Sequence, residues 1–176
     1  KTYTMLELAH EMLRDGVDVV VGWITTHNRQ ETERILEGLP CLAVKEMEYQ
    51  GEILREMDID AILERKPQVV LVDELAHGNM PGSRHVRRFQ DVEELLNAGI
   101  DVYTTLNIQH IESLNDIVAQ ITGVTVVETV PDRIVEQADQ VQLIDIPPNE
   151  LIKRLKEGKI HMPRQEELAL DKFYRP

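Results

Sequence analysis

Apolar residues recur along the chain in two patterns, at three- and four-residue spacing in some segments and in short continuous runs in others. The first pattern is typical of helices with one buried face, and the second of strands buried on both sides. We predict helices over Thr2–Arg14, Ile108–Ile121, 147–158 and 163–174, and three further helices that begin at the N-caps Asn28, Asp58 and Ser83. A helical turn is predicted at Pro131. We predict strands over Val17–Thr26, Gln68–Asp73, Ile100–Leu106, Val124–Glu128 and Val141–Ile146.

Most of these strands alternate with helices of about 10 to 15 residues, and this order predicts a mostly parallel sheet with helices on both faces. The segment 41–50 is ambiguous, and a strand through Leu42 and Val44 is one interpretation. The predicted class is therefore α/β. In such sheets, ligands bind outside the carboxyl ends of the strands.

Composition limits the possible partners. With 176 residues, the chain is expected to be one domain, 1–176, and its net charge of −13 argues against nucleic-acid or anionic-membrane binding. Cys41 is the single cysteine, which excludes an internal disulfide. No apolar run approaches the length of about 20 residues that spans a bilayer, so we expect no direct membrane insertion. The start without Met leads us to expect a piece of a longer polypeptide.

Two short motifs suggest nucleotide chemistry. The run Val69–Val72 ends in Asp73-Glu74, as a Walker B strand does when it delivers carboxylates to a phosphate and its metal. Lys1-Thr2 matches the end of the phosphate loop G-x-x-x-x-G-K-[ST]. Together they predict a three-layer, P-loop NTPase-like fold, with the chain expected to begin inside its phosphate-binding loop.

Each of these residues then has an expected role. Lys1 would neutralise the outer phosphates of the nucleotide, while Thr2 and Asp73 would hold Mg²⁺. Glu74 would act as a base or orient water, and Asn107, at a neighbouring strand end, would orient water or contact the terminal phosphate. Both assignments have plainer alternatives, because acidic residues at strand ends often cap the next element and Asn107 suits a helix N-cap.

A basic cluster lies in the segment GSRHVRR. Arg84 could contact phosphate or reach a neighbouring subunit, but a solvated helix surface that faces a partner is the more common use of Arg84, Arg87 and Arg88. The preceding segment 78–83 is rich in residues that permit turns, so it is either a switch loop that responds to the nucleotide or a simple connection.

With these motifs placed, nearly the whole chain resembles the N-terminal cytoplasmic domain of the KdpD family of bacterial sensor histidine kinases. The matching segments are KTYTML, VVVGWITTHNRQET, VLVDELAHGNMPGSRHVRRFQDVEELLNAGIDVYTTLNIQHIESLND, ETVPDRI and IDIPPNELIKRLKEGKI. The resemblance implies a P-loop, ATP-binding regulatory domain. It aligns the end of the family's phosphate loop with Lys1 and Thr2, and its Walker B acid with Asp73.

The resemblance also implies a setting for the chain. We expect an ATP- and Mg²⁺-binding sensor domain of a two-component kinase that controls potassium uptake, on the cytoplasmic side of the bacterial inner membrane. Its expected partners are the other domains of that kinase, with a homodimer as a further option. Two alternatives remain open: a self-contained ATPase in which Glu74 activates water, and an interaction scaffold that binds no nucleotide.

Overall fold

The structure is a computed structural model that describes residues 1–147, 149, 150 and 153. It divides into two compact units, Lys1–Asn107 and a second that begins at Ile108. The strands are β1 (Val19–Trp23), β2 (Lys45–Tyr49), β3 (Glu52–Glu56), β4 (Val69–Val72) and β5 (Asp101–Thr104). The helices are α1 (Thr2–Arg14), α2 (Gln30–Leu36), α3 (Ile59–Arg65), α4 (Arg88–Asn97), α5 (Glu112–Thr122) and α6 (Asp132–Glu136).

The first unit contains a parallel sheet of three strands in the order β1-β4-β5. Strand β4 lies in the centre, and all four of its residues are buried, as its unbroken apolar sequence predicts. The α/β class and the parallel strands are thereby confirmed, while the assignment to a three-layer, P-loop NTPase-like fold stays a prediction.

Side chains of β1 alternate between the two faces of the sheet. Val19 and Val21 belong to the hydrophobic cluster that contains Leu6 and Ala9 of α1. Gly22 lies on the opposite side, where a Cβ atom at this position would come within 2.9 Å of Ile62 Cδ1 in α3. Helices α1 and α3 thus cover opposite faces, and the absence of a side chain at Gly22 permits the close approach of α3.

The ambiguous segment contains an element that periodicity did not reveal. Strands β2 and β3 form an antiparallel hairpin around Gln50-Gly51, whose φ angles of 52° and 85° are both left-handed. Such a pair is typical of the tight type I′ turn. The interpretation of a strand through Leu42 and Val44 was wrong, because the strand begins at Lys45. Hairpin residues are mostly exposed, so the segment lacks the apolar periodicity of a buried strand.

Several predicted boundaries also need correction. Helix α2 begins at Gln30 rather than after an Asn28 cap, and Asn28 has a left-handed φ of 58°. Helix α4 begins at Arg88, not after Ser83, and it buries Leu95 while Leu96 is exposed. In contrast, α1 and the Asp58 cap of α3 are confirmed, since the Asp58 side chain accepts a hydrogen bond from the Ala61 N–H at 3.1 Å.

In the second unit, the strands predicted over Val124–Glu128 and Val141–Ile146 are absent from the described residues. Val127 and Leu143 are 86% and 85% exposed, so their apolar side chains are not buried as those of a core strand would be. The predicted turn at Pro131 is confirmed as α6. The helices predicted over 147–158 and 163–174 lie largely or wholly outside the described residues. No helix in the described part of the chain has the length and apolarity to cross a membrane.

Candidate functional site

Polar residues from three strands meet at the carboxyl edge of the parallel sheet. Thr25 follows β1, Asp73 and Glu74 follow β4, and Thr105 follows β5. Because parallel strands all end at the same edge, residues far apart in sequence converge there. Helix α1 adds Thr2 from its first turn.

Asp73 is the central residue of this edge, and its side chain is almost completely buried. The Thr2 hydroxyl donates to its Oδ2 at 3.0 Å, and the Thr105 hydroxyl donates to its Oδ1. Backbone N–H groups of Thr25 and Glu74 also donate to the carboxylate, at 3.4 and 3.1 Å. These donors satisfy the buried charge and hold the carboxylate in one orientation.

Lys1 and Asn107 are also brought together, since the Lys1 ammonium donates to Asn107 Oδ1. Loss of hydration lowers the pKa of Lys1, while the nearby carboxylates of Asp73 and Glu74 act in the opposite direction. The structure therefore places the predicted phosphate-binding lysine in the field of the two predicted carboxylates. Asn107 contacts the lysine and also directly precedes a 3₁₀-helical turn, Ile108–His110, whereas α5 itself has Ile111 as its N-cap.

Glu74 has an unusual backbone. Its φ angle is 57°, a left-handed value that is uncommon for residues other than glycine and costs about 1–3 kcal/mol. Its Oε2 accepts a hydrogen bond from the Thr25 hydroxyl at 2.9 Å, and its Oε1 lies 3.4 Å from His27 Nε2. Strained backbone of this kind is often found at functional sites.

This arrangement suits a hard cation. Mg²⁺ takes oxygen ligands, and a hydroxyl and a carboxylate at 3.0 Å, like those of Thr2 and Asp73, are close enough to share one ion. The Lys1 ammonium supplies a positive charge on the same edge. The donor set thus fits both Mg²⁺ and a phosphate group.

Arg88 is the main residue whose role sequence reasoning missed. The cluster that contains it was predicted to be a solvated surface, but the Arg88 side chain is 0% exposed. Its Nη2 donates to Glu56 Oε1 at 2.5 Å, its Nη1 donates to the Asp73 carbonyl oxygen at 3.2 Å, and its guanidinium lies 4.8 Å from the centre of the Trp23 ring. Sequence offered no signal for this pairing, because its partner Glu56 ends a hairpin that was not predicted.

Glu56 is a buried but ionised carboxylate. Burial by itself would raise its pKa, but the hydrogen bond from His77, the charge of Arg88 and the Met57 N–H together lower the pKa to about 2. Thr105 was also missed, because the predicted strand Ile100–Leu106 includes it, whereas β5 ends at Thr104 and leaves Thr105 at the strand end.

Arg84 is not brought to this edge by the contacts that the structure shows. It is exposed and forms ion pairs with Asp60 and, at 2.6 Å, with Glu94. These contacts hold it against α3 and α4, and its role toward phosphate stays a prediction.

Comparison with known proteins places the chain in a family. The sequence model described as "KdpD: Osmosensitive K+ channel His kinase sensor domain" matches residues 1–176. The protein named "Sensor protein KdpD" is 55% identical over 174 residues in Clostridium acetobutylicum, 52% over 175 residues in Escherichia coli K12, and 49% over 175 residues in Mycobacterium tuberculosis H37Rv. Each alignment covers 99% of this chain but only 19–20% of the relative.

The resemblance seen in the motifs is therefore confirmed over the whole chain, which spans about one fifth of the length of these relatives. The chain belongs to the KdpD family of osmosensitive K⁺ channel histidine kinase sensor domains.

Proposed function

We propose that this domain binds ATP with Mg²⁺ and regulates the sensor histidine kinase of which it is a part. The observation that carries the proposal is the hydrogen bond of 3.0 Å between the Thr2 hydroxyl and Asp73 Oδ2, at the carboxyl edge of a parallel sheet. A hydroxyl from a helix start and a carboxylate from the central strand are the protein ligands that P-loop proteins supply to Mg²⁺.

In this proposal, Lys1 neutralises the outer phosphates, and Thr2 and Asp73 hold the ion. Asn107 sets the direction of the Lys1 ammonium, to which its side chain is hydrogen bonded. Glu74 orients a water molecule near the terminal phosphate, because the contact with Thr25 points its carboxylate along the same edge. Bound Mg²⁺ would supply charge neutralisation for the phosphates.

The relatives are named as sensor proteins, and the family description adds K⁺ channel osmosensing. We propose by analogy that the domain acts on the cytoplasmic side of the membrane, in a kinase that controls potassium uptake. Its partners would be the other domains of that kinase, with a homodimer as a further option. Nucleotide occupancy needs only about 1–3 kcal/mol of differential affinity between two conformers to bias the kinase.

The test is a titration of ATP in Mg²⁺ onto the full-length protein that contains this chain, read from hydrogen exchange of residues 1–107, because the kinase core of a histidine kinase binds ATP as well. Asp73→Asn keeps the shape of the side chain but removes its charge, so we expect at least about tenfold weaker binding, or about 1.4 kcal/mol. Lys1→Ala should weaken binding by a similar factor, because it removes the phosphate-facing ammonium.

Asp18→Asn is the matched control. Asp18 pairs with Arg65 before the start of β1, at the opposite edge of the sheet, so the same chemical change there should leave the affinity unchanged. If the double variant Lys1→Ala/Asp73→Asn binds magnesium-ATP as tightly as the wild type, the proposed site is wrong.

A further inference from the structure

A buried ion pair connects the candidate site with the β2–β3 hairpin. One arm of the Arg88 guanidinium donates to the Asp73 carbonyl oxygen and lies 3.9 Å from Glu74 Oε2. The other arm donates to Glu56, the last residue of β3. Arg88 therefore contacts both residues of the predicted acid pair on one side and the end of the hairpin on the other.

Glu56 extends this connection to the segment 78–83, which follows β4. Its Oε2 accepts a hydrogen bond from the Met80 N–H at 3.3 Å and lies 3.3 Å from His77 Nε2. Its Oε1 accepts both the Arg88 arm and the Met57 N–H. The Glu56 carboxylate, at the end of the hairpin, thus contacts both the 78–83 segment and Arg88.

Stability is a weak explanation for this pair. Burying a charged pair costs several kcal/mol per ion before its attraction is counted, and well-packed apolar residues often serve equally well. Arg88 Nε is also buried without a hydrogen-bond partner among the described residues, which adds to the cost. What an apolar pair could not supply is a rigid, planar fork that reaches two acceptors at once.

We propose that Arg88 is a positioning residue for the Asp73-Glu74 pair, and that Glu56 couples its position to the β2–β3 hairpin and the 78–83 segment. The inference rests on the proposed function, since it concerns the same nucleotide site. Coupling between two sites is reciprocal, so occupancy by magnesium-nucleotide changes the hairpin and the hairpin changes the affinity for magnesium-nucleotide.

Arg88→Lys separates positioning from charge. Lysine keeps a cation beside Glu56, but its compact ammonium cannot span Glu56 and the Asp73 carbonyl oxygen as the fork does. Arg65→Lys is the matched control, because Arg65 forms a two-armed contact with Asp18 at the far edge of the sheet. Glu56→Gln is the second variant, which removes the charge that holds Arg88 while nearly preserving side-chain volume.

The first measurement is the ratio of the ATP dissociation constant in EDTA to that in Mg²⁺ for full-length protein, read from hydrogen exchange of α1, so that ATP bound at the kinase core does not contribute. Slow exchange of β4 without ATP shows that each variant is folded. We expect Arg88→Lys and Glu56→Gln to reduce this ratio by at least about fivefold, while the affinity in EDTA changes by less than about twofold. Arg65→Lys should leave the ratio unchanged. A merely structural role would not alter the magnesium dependence of a folded variant.

The second measurement is hydrogen exchange of residues 52–57 and 78–83. Magnesium-ATP should slow exchange of both segments in the wild type and in Arg65→Lys, but not in Arg88→Lys. Unchanged magnesium ratios in folded Arg88→Lys and Glu56→Gln would overturn the inference and leave the proposed function intact. If Arg88→Lys does not fold, the ratio in Glu56→Gln decides the inference. A wild type in which ATP leaves hydrogen exchange across residues 1–107 unchanged would overturn both.

Discussion

At the scale of single residues, Glu56 shows how a buried carboxylate remains charged. Burial favours its neutral form, but Arg88, His77 and the Met57 N–H favour the ionised form more strongly. The pKa of Glu56 is consequently about 2 in the folded chain, against 4.5 for an unperturbed glutamate. Folding therefore favours the deprotonated form of Glu56, and this links the free energy of unfolding to pH.

The direction of the linkage follows from the lowered pKa. The contribution of Glu56 is complete above pH 4.5 and is lost as the pH falls toward about 2, because protonation then costs the folded state more than the unfolded state. Between pH 4.5 and about 2, we therefore expect the difference in free energy of unfolding between the wild type and Glu56→Gln to shrink by about 3 kcal/mol. Urea unfolding at a series of pH values measures the difference.

Glu46→Gln is the control for this experiment. Glu46 lies in the same hairpin but pairs with Arg55 in an exposed ion pair, so its effect should be small at every pH. A difference between wild type and Glu56→Gln that does not vary between pH 5 and pH 3 would contradict the lowered pKa.

At the scale of elements, the contact between β1 and α3 depends on one glycine. A Cβ atom on Gly22 would lie 2.8 Å from Val70 Cγ2 and 2.9 Å from Ile62 Cδ1, closer than carbon atoms pack. Gly22→Ala should therefore destabilise the domain by about 1–3 kcal/mol through overpacking. This is the opposite of the usual effect in a strand, where alanine is preferred to glycine. Denaturant unfolding gives the change in free energy.

Ile62→Val is the second substitution in this test, because it removes the Cδ1 atom that the methyl group of Gly22→Ala would contact. In a double-mutant cycle, Gly22→Ala should cost less in the Ile62→Val protein than in the wild type. Equal costs in both backgrounds would show that α3 does not pack against Gly22.

At the scale of the whole molecule, the first compact unit, Lys1–Asn107, contains the parallel sheet, the hairpin and all the residues of the candidate site. We expect residues 1–107 expressed as a fragment to unfold in a single cooperative transition, with a urea m-value of about 1–3 kcal/mol/M. Circular dichroism during urea titration checks this, with the 176-residue chain as the reference. A gradual loss of the circular dichroism signal, with no folded baseline at low urea, would contradict the expected cooperative unfolding.

Much of this unit could be predicted from local patterns. The apolar run before Asp73, the helical spacing in α1 and the Asp58 cap each depend on neighbouring residues, so they are visible in the sequence. The hairpin was missed because its exposed strands carry no apolar periodicity, and Arg88 was misplaced because its charge is typical of a surface. The predictions of strands over Val124–Glu128 and Val141–Ile146 were wrong because their β-branched residues, such as Val127 and Val141, are exposed rather than buried.

Local sequence patterns thus predict the α/β class, the central strand and one site formed by Lys1, Thr2, Asp73 and Glu74. The hydrogen bond from Thr105 to Asp73 and the pairing of Arg88 with Glu56 are visible only in the folded chain. The reason is physical: periodicity and capping are short-range, whereas the partner of a buried charge is chosen by the packing of segments distant in sequence.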